Sequence, residues 1–190
     1  LVMCTASGRE MWTRPLTHSS GSELHMADDG GIVIASSYRP AGSDFYGAPV
    51  VATEIIDGNG ATLHVLPVLM RHAGVSPSGD RFVVADRNEI VFGSVNGSSE
   101  HRHWSSGPGE GTITGVACAG ETTAVVVEQI QAGSGGIRYA NPTAVFLNQA
   151  GIEVRREVLS GTSVFSTRLV LREGQFRLQN PDAAIRGSVK

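Results

Sequence analysis

Lysine is almost missing from this chain: of 15 basic residues only the terminal Lys190 is a lysine. Charge of either sign is sparse too, at 17% of residues against about 25% in an average globular domain. The net charge is −3, and the longest basic cluster is Arg155-Arg156. A nucleic-acid partner would need a concentrated basic face, so none is expected. Cysteine is scarce. Cys4 and Cys118 each sit in an apolar run without a partner at metal-ligand spacing, which excludes a zinc framework built on them. Two readings stay open for them: buried thiols acting as small hydrophobes, or a disulfide if the protein is secreted. No apolar run approaches the roughly 18 residues of a membrane span, and no charged-then-apolar leader is visible. The chain opens on Leu1 rather than Met, which suggests processing or trimming. Helical periodicity is missing as well. Glycine or proline interrupts most windows of about 11 residues, and none shows i, i+3, i+4, i+7 apolar spacing.

What remains is strand and turn. Hydrophobic residues make up 41% of the 190, enough for a folded core without metal or disulfide support. Short β-branched runs at 32–35, 50–56, 82–85, 89–95, 124–127, 144–147, 152–158, 168–171 and 175–178 read as strands. The 24 glycines exceed the usual share of about 7% and fall between these runs, where hairpins need positive φ.

The glycines recur in order. One class of turn follows a strand at Ser7-Gly8, Asn59-Gly60, Asn96-Gly97 and Ala150-Gly151. A second class follows at Asp29-Gly30, Ser78-Gly79, Ala119-Gly120 and Glu173-Gly174, with glycines 22, 19, 23 and 23 residues later. Each unit therefore reads as a four-stranded antiparallel meander, with approximate boundaries 6–56, 57–95, 96–147 and 148–190. Such a meander hides one face only by packing on a neighbour, and radial repetition of blades solves that problem. The expected fold is all-β: a β-propeller or partial propeller of about four four-stranded antiparallel blades in a single domain over 1–190. The WD40 and kelch repeat lengths, about 40–45 and about 50 residues, bracket these spacings.

Particular residues resemble known propeller repeats. Ser7-Gly8-Arg9-Glu10-Met11-Trp12, followed by His25 to Ile34, is similar to the Gly-x-x-x-Trp strand, polar turn and apolar strand of quinoprotein-like propellers. Asn96-Gly97 with His103-Trp104 is a looser copy. Val75-Ser76-Pro77-Ser78-Gly79-Asp80-Arg81-Phe82 resembles the Ser-Pro-Asp-Gly segment of WD40-like and TolB-like propellers. Such rings commonly carry more than four blades. The resemblance therefore implies a fragment of a larger ring, a four-bladed ring, or half a ring completed by self-association.

Two connections are long: 36–48, with Tyr38, Pro40, Phe45 and Tyr46, and 129–142, with Tyr139. Tyrosine and glycine in projecting hairpins suit adaptable contacts at low entropy cost, so Tyr38, Phe45, Tyr46 and Tyr139 are the candidate binding residues. The unit at 57–95 lacks such a connection.

Catalytic constellations are weak by comparison. His25 near Asp28 and Asp29, and His101 with His103 at strand spacing, are the metal candidates, against ordinary surface-strand histidines. Trp104 is expected to dock on a neighbouring blade, and His64 and His72 look solitary. No strand–elbow–helix is available for a serine hydrolase, and Gly133-Ser134-Gly135-Gly136 has no helix after it to cradle phosphate. No catalytic residue, metal site or cofactor is assigned. A non-enzymatic protein- or peptide-binding or scaffolding module is favoured. The alternatives are a propeller enzyme (a hydrolase or cofactor-dependent enzyme) with a His/Asp site at the ring mouth, or a structural segment of a larger extracytoplasmic sensor or scaffold. Low lysine with abundant Gly, Ser and Thr points to a periplasmic or secreted protein.

Overall fold

The computed structural model describes residues 1–18, 20–27, 30–39, 50–97, 101–107, 109–133, 136–159, 168–172 and 175–179. Sixteen strands and no helix occur among them. They form three complete meanders and two strand pairs, all antiparallel. The first pair is β1 (Val2–Cys4) with β2 (Glu10–Thr13). The first four-stranded sheet runs in order through β3 (Ser20–Met26), β4 (Ile32–Arg39), β5 (Val50–Asp57) and β6 (Thr62–Leu66). The second comprises β7 (His72–Val75), β8 (Arg81–Ala85), β9 (Glu89–Ser94) and β10 (Arg102–Ser105). The third comprises β11 (Thr112–Ala119), β12 (Thr122–Gly133), β13 (Gly136–Leu147) and β14 (Glu153–Val158). A pair, β15 (Arg168–Arg172) and β16 (Gln175–Gln179), follows. The chain divides into two compact units, Leu1–Arg71 and His72–Lys190.

Each hydrogen-bonded sheet takes its last strand from the following sequence repeat, since β6, β10 and β14 lie beyond residues 56, 95 and 147. The sequence marks the turns, but the sheets begin one strand later than the first glycine turn.

The two classes of turn have different geometry. Gly8, Gly60 and Gly151 each donate N–H to the carbonyl three residues back, in Thr5, Asp57 and Asn148. Those same residues donate N–H to the carbonyl four residues on, in Arg9, Ala61 and Ile152. The side chain at this position caps the turn: Asp57 Oδ1 accepts from the N–H groups of Asn59 and Ala61, and Asn148 Oδ1 from those of Ala150 and Ile152. In the second class, Gly30 and Gly79, the closing pair is one residue wider, Ala27 with Ile32 and Ser76 with Arg81. Gly120 closes a two-residue hairpin between Ala119 and Thr122. Gly97 has no positive φ; residues 98–100, which follow it, and the turn expected at Glu173-Gly174 lie outside the described residues.

In the first unit, Val33, Ala35 and Ile56 form one face of the β3–β6 sheet, with Leu1, Trp12 and Leu16 packed on it. The Trp12 indole N–H donates to Gly58 O at 3.0 Å, and its ring lies over Gly60. In the second unit the sheets β7–β10 and β11–β14 pack face to face. Val83, Ala85, Ile90 and Phe92 meet Ile113, Val116, Cys118, Val125, Val127, Val145 and Leu147 in one buried cluster, with Trp104 against it. Burying each Val, Ile, Leu or Phe of this cluster is worth about 1.5–3 kcal/mol, so this shared layer holds the two sheets together. The alternate residues Ala124, Val126, Ala144 and Phe146 serve the opposite face with Ala117, as a two-residue period requires.

Candidate interaction surface

In each four-stranded sheet the second and third strands are joined at the same corner, and the three sheets treat that corner differently. Between β8 and β9 the connection is tight, with Asp86 N–H donating to Glu89 O at 3.0 Å. Between β4 and β5 the pairing runs to Arg39↔Val50, and residues 40–49 lie outside the described residues. Between β12 and β13 the strands run on together past their sheet. β11 pairs with β12 as far as Glu128, and β14 pairs with β13 from Thr143 onward. From Gln129 to Gly133 and from Gly136 to Ala140, the two strands form a ribbon paired with each other.

Local chemistry explains where the ribbon leaves the sheet. The β12–β13 register shifts between Val127 and Gln129, a bulge that bends the strand. Opposite it, Asn141 has φ 52, a left-handed conformation that asparagine tolerates, and Pro142 follows. Asn141 Nδ2 donates to Gln129 Oε1 at 2.9 Å and ties the two strands at the base. On the far side of β12, Gly111 (φ +123) comes so close to the Glu128 carbonyl that a methyl group would collide with it. Gln129, Ile130, Gln131 and Ala132 are all exposed.

Of the candidate binding residues, Tyr38 is half-buried near the end of β4, where its backbone pairs with Val51 on β5 and Ser20 on β3. Phe45 and Tyr46 lie outside the described residues. Tyr139 is in the ribbon, with Ile130 as its backbone partner. The segment 129–142, expected as a long projecting hairpin, is a paired β-ribbon for most of its length.

The histidines serve separate partners. His101 stands edge-on to Phe82, 5.9 Å between ring centres, and His103 Nδ1 hydrogen-bonds Glu89 Oε1 at 2.9 Å. His25 is half-buried on β3, and Asp28 and Asp29 lie outside the described residues. His64 is buried on β6, and His72 opens β7. Among the described residues, no group of three or more His, Cys, Asp or Glu side chains is placed to hold a metal ion. Cys4 and Cys118 are both free thiols, the first exposed and the second buried. Burial pushes Cys118 up to about 12, and its Sγ donates weakly to the carbonyls of Gly74 and Arg81.

Sequence reading missed the buried carboxylate. Glu54 accepts from Arg14 Nη2 at 2.5 Å and from the Thr17 N–H at 2.6 Å, with the Thr62 hydroxyl at 3.4 Å. Arg14 Nη1 also donates to Gly60 O and to the Thr62 hydroxyl. This knot fastens the segment after β2 to β5 and β6. Glutamate inside an apolar strand was the available signal. On the surface, the Ser78 and Ser76 hydroxyls donating to Asp80 hold its carboxyl below the usual carboxylate range.

Three complete meanders, two of them stacked on a shared apolar layer, define an all-β protein of the β-propeller type. No family model and no curated protein matches the chain. Solved structures do. The crystal structure of Kluyvelomyces marxianus Hsv2, a WD40-type propeller, is similar over 92% of this chain at 9% identity and a TM-score of 0.58. The crystal structure of the eukaryotic initiation factor is similar over 83% of this chain at 13% identity and a TM-score of 0.51. The beta-propeller domain of Myceliophteria thermophila Cps50 (Swd1) is matched over 88% at 9% identity and a TM-score of 0.47. At such identities the likeness concerns the fold alone. The chain covers 56%, 39% and 64% of those three proteins, so it spans about half their length.

Proposed function

We propose that this chain is a non-enzymatic, propeller-type module that binds proteins or peptides through the hairpins joining second and third strands. The β12–β13 ribbon carries the reading. It extends past its own sheet, its β12 side chains are exposed, and its base is fixed by a bulge, a left-handed asparagine and a glycine contact. A folded chain keeps an exposed two-stranded extension at a cost, because an isolated hairpin is marginal in water. Contact with a partner offsets that cost. Tyr139 on this ribbon, Tyr38 near the end of β4, and Phe45 and Tyr46 in the sequence between β4 and β5 are the proposed contact residues. The quinoprotein-like and TolB-like features at Trp12 and at Ser76 to Asp80 are assigned to blade construction, because Trp12 seals a turn and Asp80 caps one. An extracytoplasmic location and a single propeller or propeller-fragment domain over 1–190 belong to the same proposal.

The test replaces residues 130–139 with Asn-Gly, a two-residue turn suited to joining the paired positions Gln129 and Ala140. Peptides selected from a random display library on the full chain are measured against both proteins. Binding should fall by more than about tenfold, that is, by more than 1.4 kcal/mol, with the melting temperature unchanged. Equal binding by the shortened chain overturns the reading.

A further inference from the structure

The third sheet guards its edges unequally. Its outer strand β14 carries Glu153, Arg155, Arg156 and Glu157. Arg156 pairs with Glu153 and Glu110, and Arg155 pairs with Glu157. Charge on an edge strand discourages another chain from adding to it. The ribbon part of β12, Gln129–Gly133, has no charged residue and no proline. β11 stops pairing at Glu128, and the chain before it folds into a tight turn, Glu110 N–H to Gly107 O at 3.1 Å. Along the side of β12 away from β13, no strand lies beside Ile130 to Gly133 among the described residues. An uncharged edge of this kind is a template for one more strand.

We propose that this edge pairs with the same edge of a second copy of the chain, antiparallel and centred on Gln131, so that two ribbons become one four-stranded sheet. The inference rests on the reading of the ribbon as a contact element. In this register Gln131 meets Gln131 of the second copy, Ile130 meets Ala132, and Gln129 meets Gly133. A carboxamide both donates and accepts, so paired glutamines satisfy each other. On the opposite ribbon face Ile130, 56% exposed, gains Ala132 of the second copy as its cross-strand neighbour, which takes part of its surface out of water. The same patch serves both copies, so the two-fold contact is self-complementary. It also stops at two: among the described residues no strand pairs with the outer side of Gly136 to Ala140, and pairing that edge with itself about its middle position, Arg138, would set two arginines at one register position.

The experiment follows the mass of the full chain by sedimentation across a concentration series, for the parent protein, Gln131→Lys, Gln131→Glu and an equimolar mixture of the two variants. The parent should show a monomer–dimer equilibrium. Each variant alone should associate about fivefold more weakly, the effect of about 1 kcal/mol from like charges placed face to face. The mixture should regain dimer, and added salt should weaken it. Residue 131 is exposed, so unchanged melting curves will show that folding is intact. A parent that stays monomeric, variants that associate as well as the parent, or a mixture no more dimeric than its components overturns the inference. If selected peptides still bind a monomeric parent and lose affinity on ribbon shortening, the inference fails and the proposed function stands. If shortening leaves peptide binding unchanged, the proposed function fails.

Discussion

Removing the guanidinium of Arg14 strands a carboxylate in the interior of the first unit. Glu54 has 1% of its side chain exposed, against 22% for Arg14. The Arg14→Met chain keeps the Thr17 N–H and the Thr62 hydroxyl on Glu54 but loses the charged donor at 2.5 Å. Breaking one partner out of a buried ion pair costs about 3–5 kcal/mol. Arg14 is partly exposed and water can follow it out, so the lower end, about 3 kcal/mol, is expected. At 2–4 °C per kcal/mol for a chain of this size, the melting temperature should fall by about 6–12 °C. Pairing the change with Glu54→Gln removes the stranded charge while keeping an acceptor for Thr17. The double variant should therefore be more stable than Arg14→Met alone. Thermal and urea unfolding followed by circular dichroism measure both. A loss below about 1 kcal/mol for Arg14→Met, or a double variant whose loss equals the sum of the singles, refutes the reasoning.

Other expectations follow from single sites. Gly60→Ala and Gly79→Ala both force an L side chain into positive φ (+88 and +70), at about 1–2 kcal/mol each. Gly60 alone also drives a methyl to 3.0 Å from the Trp12 ring, so Gly60→Ala should be the more damaging in urea titrations, and equal losses contradict the packing. A thiol reagent should label one cysteine, Cys4, in the native protein and Cys118 only on unfolding; two fast native reactions contradict the burial of Cys118. The Cys118 thiol is raised from 9.0 to about 12 in the fold, so its share of stability is whole below pH 9 and declines as pH rises toward 12. Asp80 is shifted the other way: its stabilisation is present above the ordinary carboxylate value and is lost as pH falls through its lowered folded value. Asp80→Asn should flatten the acid limb of unfolding free energy against pH, and an unchanged limb contradicts the role of the serine hydroxyls.

Glycine punctuation carried most of what the sequence revealed about the fold. Gly8, Gly30, Gly60, Gly79, Gly120 and Gly151 all take positive φ, the property that made them visible as turns. The grouping of strands into sheets was harder to see, because a turn is local and a sheet boundary is not. Nothing near Gly60 announces that β6 pairs back on β5 and that β7 begins the next sheet. Gly97 is a turn residue by composition, yet it lacks positive φ, and a methyl there would meet Ser94 Cβ at 2.7 Å. It is small because of a neighbour. Glu54 escaped notice because its partner Arg14 lies 40 residues away, beyond any local pattern. The projecting hairpin at 129–142 was legible, but how far its strands pair was not, because Gln129 to Ala132 is polar on one side and sparsely apolar on the other, the signature of a strand with no core to face. Among the aromatic candidates, Tyr38 and Tyr139 were placed on paired strands.

Cross-strand nuclear Overhauser contacts in the second unit test the stacked-meander architecture most directly. Backbone contacts should join Val91 to His103 and Val145 to Arg156, as their registers require. Side-chain contacts should link Ile90 and Phe92 with Val125 and Val145 across the two sheets. Helical i to i+3 contacts, pairing of β10 with β11, or no side-chain contacts between these sheets would contradict the account.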